Sequence, residues 1–175
     1  MRNLTNGATT VKMSDIPISG TNLISSAMVK ECGVGDASRG SLSSYAYVLL
    51  LIHYLQQVGV LPVLQELYDG AEQPTHNVEG FNTWFQHDGE VIERRFERSN
   101  KDSLSRIWIG LLQYYTELFE FDKMTIQIRQ KAQMTTFEKE WTSKCISIED
   151  PFELTHNLGC GVSRKMANYI VKVRV

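Results

Sequence analysis

The stretch LSSYAYVLLLIHYLQQV, residues 42–58, constrains the fold of this chain more than any other segment. Leu42, Tyr45, Leu49, Ile52 and Leu55 recur at helical spacing, and Ser41, directly after Gly40, is a natural N-cap. The remaining faces of the segment are apolar too, so the sequence predicts a central helix covered on several sides. A second helix is predicted to open at the capping residue Ser103. It carries Leu104, Ile107, Trp108, Leu111, Leu112, Tyr115, Leu118 and Phe119 at i, i+3, i+4 spacing and must pack against the first.

The other elements are weaker. MTIQIRQK and KCISIED alternate like short strands, and Ser163 caps a last helix, SRKMANYIVKV. A short helix is predicted from Asn22 to Glu31, ended by Gly33 and Gly35. GVLPVLQELYDG reads as a turn and a short apolar element, and the charged region from Ala71 to Lys101 as a solvated face or surface loop. The expected class is mainly α with a minor β component. At 175 residues and 42% apolar side chains, the chain is long enough for one domain with a real core.

A net charge of −2 gives no global footprint for nucleic acid, so any polyanion must be bound locally. Three cysteines, Cys32, Cys145 and Cys160, lack C-x-x-C spacing, and the four histidines are scattered. Neither a disulfide framework nor a zinc site is supported, which fits a reducing interior. The opening residues lack the apolar run of a signal peptide, and no stretch reaches the roughly 18 apolar residues of a membrane span. The expectation is a soluble protein with no membrane association.

Two stretches carry chemistry. In IEDPFELTHNLG, Pro151 fixes its own φ and pushes Asp150 out of the helical region, displaying the side chains on a defined bend. Glu153 and His156 are three apart, which on a helical turn would let the carboxylate orient the imidazole. The alternative is a satisfied polar turn. A Glu-x-x-His pair also fits metal ligation, but a second such pair is absent and no metal site is expected. In GSLSSYAY, exposed N–H groups at the helix start together with Ser41, Ser43 and Ser44 form a seat for a phosphate, and Tyr45 offers a flat platform for a base. The alternative there is a serine-capped core helix with a packed tyrosine.

Taken in order, ASRGSLSSYAYVLLLIHYLQQ, LPVLQELYDG, SRIWIGLLQYYTELFEFDK, KEWTSKCISIEDPFELTHNLG and VSRKMANYIV resemble the PAP-associated central domain of cytoplasmic RNA terminal uridylyltransferases. The resemblance covers about residues 29–172 and implies a helical nucleotide-recognition domain over 28–175, preceded by a poorly ordered or truncated segment over 1–27. It implies that Tyr45 stacks on the uracil of UTP and that Ser44 contacts the triphosphate. Lys30 matches the second of two phosphate-binding lysine positions, with Ser26 at the first. Asp150 and Glu153 fall where the uracil edge is read, and His156 where UTP is favoured over ATP. The physics agrees: uracil offers an acceptor O4 and a donor N3–H, adenine offers an amino donor beside an acceptor, and a mismatch leaves a buried polar group unpaired at about 1–3 kcal/mol.

The same family uses a Gly-Ser pair, a D-x-D pair and a third aspartate to hold two metal ions, Mg²⁺ or Mn²⁺, for transfer of uridine to an RNA 3′ end. Here Gly40-Ser41 leads into a helix with no D-x-D after it, and FEFD ends a helix. The arginine that some members carry after the motif histidine is Cys160. The resemblance therefore implies the base-recognition half of a cytoplasmic enzyme, from a truncated or alternatively spliced product. The catalytic palm and its carboxylates would be absent, with no catalytic residue and no activity alone. The competing reading is a non-catalytic RNA- or protein-binding module. An adenylyl-transferring relative is disfavoured by His156.

Overall fold

The computed structural model describes residues 40–142 and 144–172. The helix expected over 22–31, and Lys30 within it, lie outside the described residues. Within them the order is α1 (Ser44–Gln57), a 3₁₀ turn (Leu64–Glu66), β1 (Asn77–Val78), β2 (Phe81–Asn82), α2 (Gly89–Arg95), α3 (Leu104–Gln113), a π-helical turn (Tyr114–Leu118), β3 (Met124–Thr125), β4 (Met134–Thr135) and α4 (Arg164–Lys172). Four helices with short strand pairs match the expected mainly α class.

Helix α1 is the central element, but it begins later than Ser41. Ser43 is extended and its Oγ accepts from Ala46 N at 3.2 Å, which makes it the cap. At the other end Gly59 adopts φ +72°, its N–H donates to Gln56 O, and Val60 N donates to Leu55 O. This pair of bonds is a Schellman closure, and only a glycine takes the left-handed position cheaply. Between these ends Leu49, Leu50 and Leu51 are all buried. Successive helical residues point about 100° apart, so three buried neighbours mean that well over half the circumference is covered.

Two apolar clusters supply that cover. Leu42, Ala46, Leu49 and Leu50 pack with Phe121, Ile126, Ile146, Ile148 and Ala167, whereas Leu51, Tyr54 and Leu55 pack with Val60 and Ile107. The second cluster is the predicted contact between the two long helices. Gly110 makes it close, since a β-carbon there would run into the Tyr54 hydroxyl. The predicted stripe on α3 is narrower than its spacing implied: Leu104 and Leu118 are exposed. The π turn explains Leu118. Phe119 N donates to Tyr114 O, five residues back, and the widened turn shifts the phase of the residues at its end.

That turn also gathers Tyr114, Tyr115 and Phe119 around the buried His53, with ring centroids 6.1, 6.3 and 5.6 Å from the imidazole. Tyr115 Oη donates its single hydrogen to Leu50 O at 2.8 Å, so at its 2.9 Å contact with His53 Nδ1 it accepts. The imidazole is thus the neutral tautomer protonated on Nδ1. Burial lowers its pKa to about 4.

The predicted strands MTIQIRQK and KCISIED do meet, but in less regular form. Ile126 bridges Ile148 in parallel fashion: Ile126 N donates to Ser147 O and Glu149 N to Ile126 O, both at 2.9 Å. Regular pairing among the described residues of this region is confined to β3 with β4, antiparallel and two residues long. The region 71–101, expected to be a solvated loop, holds more structure. β1 and β2 form a hairpin across Glu79-Gly80, both at positive φ as a type I′ turn requires. Asp88 caps α2 by accepting from Glu90 N at 2.9 Å, Ile92 is buried, and Asp69 pairs with Arg94 and Arg95.

The packing can be tested at two places. His53 stays neutral in the fold down to about pH 4 but charges near 6.5 when unfolded, so its contribution is complete above about 6.5 and is lost as pH falls towards 4. Urea unfolding should show His53→Gln losing about 2–3 kcal/mol less stability than the unmutated chain between about pH 7 and about pH 4.5. Gly159→Ala should cost about 1–3 kcal/mol because its β-carbon would meet the backbone carbonyl of Ile146, whereas Gly161→Ala, with open space around it, should stay within about 0.5 kcal/mol. Equal melting of the two variants would contradict this packing.

Candidate functional site

The segment 148–159 is held as a closed loop. Glu149 pairs with Asn157 in an antiparallel bridge, Asp150 N donates to His156 O at 3.1 Å, and Leu158 N donates to Ile148 O at 2.9 Å. The buried Asn157 fastens the base: its Oδ1 accepts from Ile148 N at 3.0 Å and from Gly159 N at 2.8 Å. Within the loop Asp150 Oδ1 accepts from Phe152 N at 3.0 Å, an Asx turn around the buried Pro151. His156 N donates to Glu153 O at 2.8 Å.

These bonds decide which carboxylate faces the imidazole. His156 Nδ1 lies 3.6 Å from Asp150 Oδ2, an ion-pairing distance rather than a hydrogen bond. The expectation that Glu153 would orient His156 is therefore corrected. It assumed a stretch of helix, and the segment after Pro151 forms a single isolated turn closed by the His156 N–H on Glu153 O, so the three-residue spacing brings the Glu153 backbone to His156. Glu153 is exposed, as are His156 and, at 61%, Phe152.

The loop lies beside the start of α1. Tyr45, in the first turn, is exposed, and its hydroxyl is pushed above its ordinary pKa, chiefly by partial burial and further by the Asp150 carboxylate. Asp150 is thus close enough to be felt by Tyr45 and to pair with His156. Ser163 N donates to Gly40 O at 3.1 Å, which ties the entry of α4 to the backbone leading into α1. Of the serines proposed as a phosphate seat, Ser44 is exposed, Ser43 spends its oxygen on the helix cap, and Ser41 is buried. Ser41 is removed from the seat because the helix starts two residues after the expected position. Lys30 is not among the described residues.

Some side chains that hold the site do not stand out in the sequence. Asn157 is the clearest, and a polar residue placed directly before Leu158-Gly159 at a loop exit is the local signal for it. Lys139 and Glu149 form a shielded ion pair against the inner side of the loop, and the length of intervening chain hides that relation. Among the described residues no group of three His, Cys, Asp or Glu side chains is placed to hold a metal ion. No described helix is long and apolar enough to cross a membrane. What the site does present is a flat phenol ring at a helix N-terminus, next to a carboxylate–imidazole pair on a stiff loop. That set suits a planar heterocycle with hydrogen-bonding edges.

Known proteins resemble this chain in sequence and in fold. Residues 103–156 match the family described as Cid1 family poly A polymerase. The chain is 55% identical to human terminal uridylyltransferase 4 over 147 residues, which are 82% of this chain and 9% of that protein. It is 35% identical to zebrafish poly(A) RNA polymerase GLD2 over 126 residues, 70% of this chain and 25% of the relative. Among solved structures, Cid1 in complex with the UTP analogue UMPNPP superposes with a TM-score of 0.74 at 30% identity, over 88% of this chain and 50% of that one. Other solved structures are a point mutant of Cid1 bound to MgATP, with a TM-score of 0.77 at 29% identity, and Cid1 in complex with its short product ApU, with a TM-score of 0.72 at 30% identity. The chain thus spans about a tenth of the uridylyltransferase and half of Cid1. By sequence and fold together, it carries a PAP-associated domain of the terminal uridylyltransferase type.

Proposed function

We propose that this domain is the UTP-recognising part of an RNA uridylyltransferase that adds uridines to RNA 3′ ends in the cytoplasm. The observation that carries the proposal is the placement of the Asp150–His156 pair beside Tyr45 at the start of α1. The identity to terminal uridylyltransferase 4 and the likeness to a protein solved with a UTP analogue support uracil as the base.

In this reading the Tyr45 ring stacks on uracil, and Ser44 with the free N–H groups of the first turn of α1 meets the triphosphate. Lys30 adds a positive charge to the same phosphates. Asp150 stands on the Nδ1 side of His156, which leaves Nε2 for the base. Paired with Asp150 as an imidazolium, the ring carries N–H on both nitrogens, and the one on Nε2 donates to uracil O4, whereas the adenine amino group would bring a second donor to the same place. Glu153, exposed on the same loop, accepts from the base edge or from water around it.

A divalent ion, Mg²⁺ or Mn²⁺, would accompany the triphosphate and stabilise charge during transfer. The donors described here do not make a site for it, and this domain's own part is to bind and orient the nucleotide. On that basis the chain alone should not extend an RNA primer with UTP, and the carboxylates for the ion would come from a palm domain. The relation to GLD2 makes adenylyl transfer the competing reading.

Titration of the chain with UTP and with ATP tests the assignment. UTP should bind more tightly, and His156→Asn should lower the ratio of UTP to ATP affinity by roughly five- to a hundredfold, the effect of one hydrogen-bonding group worth about 1–3 kcal/mol. An unchanged ratio removes His156 from base selection. Tyr45→Ala should weaken UTP binding by a similar factor of roughly five to a hundred, with Tyr45→Phe close to the unmutated chain, because the ring face and not the hydroxyl makes the contact. If Ala and Phe behave alike, the stacking platform is wrong.

A further inference from the structure

The loop that carries Asp150 and His156 is held from inside by one charged side chain. Lys139 lies in the turn after β4, with its side chain 15% exposed. Its Nζ pairs with Oε2 of Glu149, whose side chain is 5% exposed. The same Nζ donates to Leu154 O at 2.9 Å and stands 5.2 Å from the centre of the Trp141 ring. The two acceptors are on different arms of the loop. Glu149 immediately precedes Asp150 on the entering arm, and Leu154 lies between Glu153 and His156 on the returning arm. The backbone of Glu149 is fixed independently, through its bond to Ile126 O. Lys139 therefore ties the returning arm to a rigid point and limits how far His156 can swing relative to Asp150.

We propose that Lys139 is a positioning residue for base selection: its ammonium group fixes the distance between the two arms of the 148–159 loop and so the setting of His156 against a bound nucleotide. The inference rests on the nucleotide-recognition reading above. Three features separate this role from a surface ion pair. The pair is shielded from water, the lysine also binds a backbone carbonyl inside the loop, and the aromatic ring of Trp141 stands by the same charge. An ammonium group with three donors can serve both arms at once. An apolar side chain of similar length fills the space but holds neither arm.

Lys139→Met alone leaves Glu149 buried without a partner and risks unfolding for that reason. The informative variant is Lys139→Met with Glu149→Leu, which removes both charges and keeps the volume, and should melt close to the unmutated chain. Three measurements on the full chain apply: the dissociation constants for UTP and for ATP, the melting temperature, and amide exchange at Phe152 and His156. The expected result is a fall in the UTP-to-ATP affinity ratio of about three- to thirtyfold, the range reached by residues that act through a neighbour, with faster exchange at those two amides and little change in melting. Lys139→Arg, which can still donate to both acceptors, should keep most of the ratio. An unchanged ratio in the double variant overturns the proposal, as does equal weakening of both nucleotides in step with a lower melting temperature. Absence of UTP binding by the unmutated chain overturns the nucleotide reading itself, and this inference with it.

Discussion

Everything in this structure depends on the covering of α1. A helix with Leu49, Leu50 and Leu51 all buried has no face of its own to give to water, so the rest of the chain is arranged to enclose it. The first half of the helix is closed by Ile126, Ile146, Ile148 and Ala167, and the second half by Ile107 and Val60. Because Ile146 and Ile148 are part of that cover, the segment leading into the candidate site is anchored by hydrophobic burial before any of its polar groups is considered. The helix start and the loop are thereby brought to the same end of the core.

Polar groups then refine what burial has placed. Asn157 gives its amide oxygen to two backbone N–H groups, and Gly159 passes where a side chain would strike the Ile146 carbonyl. The exit of the loop is therefore set by main-chain contacts that leave little freedom. Asp150 does two things with one carboxylate: Oδ1 stabilises the turn around Pro151 and Oδ2 stands by the imidazole. The exposed groups, Tyr45, Glu153, Phe152 and His156, are mounted on this inner frame. Rigid support with exposed chemistry is the usual division of labour in a recognition loop.

The parts of this arrangement that are legible in the sequence are those set by neighbours along the chain. The apolar density of α1, the caps at Ser103 and Ser163 and the stiffness around Pro151 are local properties, and the structure has them. Where several residues offer the same local chemistry, the sequence does not choose: Ser41 and Ser43 are both good caps, and in the fold it is Ser43 that caps α1 while Ser41 is buried. Spacing alone gives His156 the wrong partner, because a separation of three means proximity only on a helix. The π turn, the Glu79-Gly80 hairpin within a charge-rich region and the Lys139–Glu149 pair depend on tertiary contacts or on a subtle turn signal. The family resemblance names Ser44 and Tyr45, which are exposed, whereas Ser41, which local chemistry alone added to the phosphate seat, is buried.

The bond from Ser163 to Gly40 and the packing of Ile146 and Ile148 on Leu49 and Leu50 join segments separated by about a hundred residues. Contacts of such high sequence separation form slowly, since the chain must close a long loop before they return any energy. During synthesis α1 therefore leaves the ribosome well before the segment that covers its first half. Among the described residues, Val60 and α3 cover its second half in the meantime, while its first half stays an exposed apolar surface of the kind that invites aggregation. The same distance makes the candidate site a late product of folding: neither Tyr45 nor His156 has its neighbour until the core has closed, so a partly folded chain has the helices but not the site.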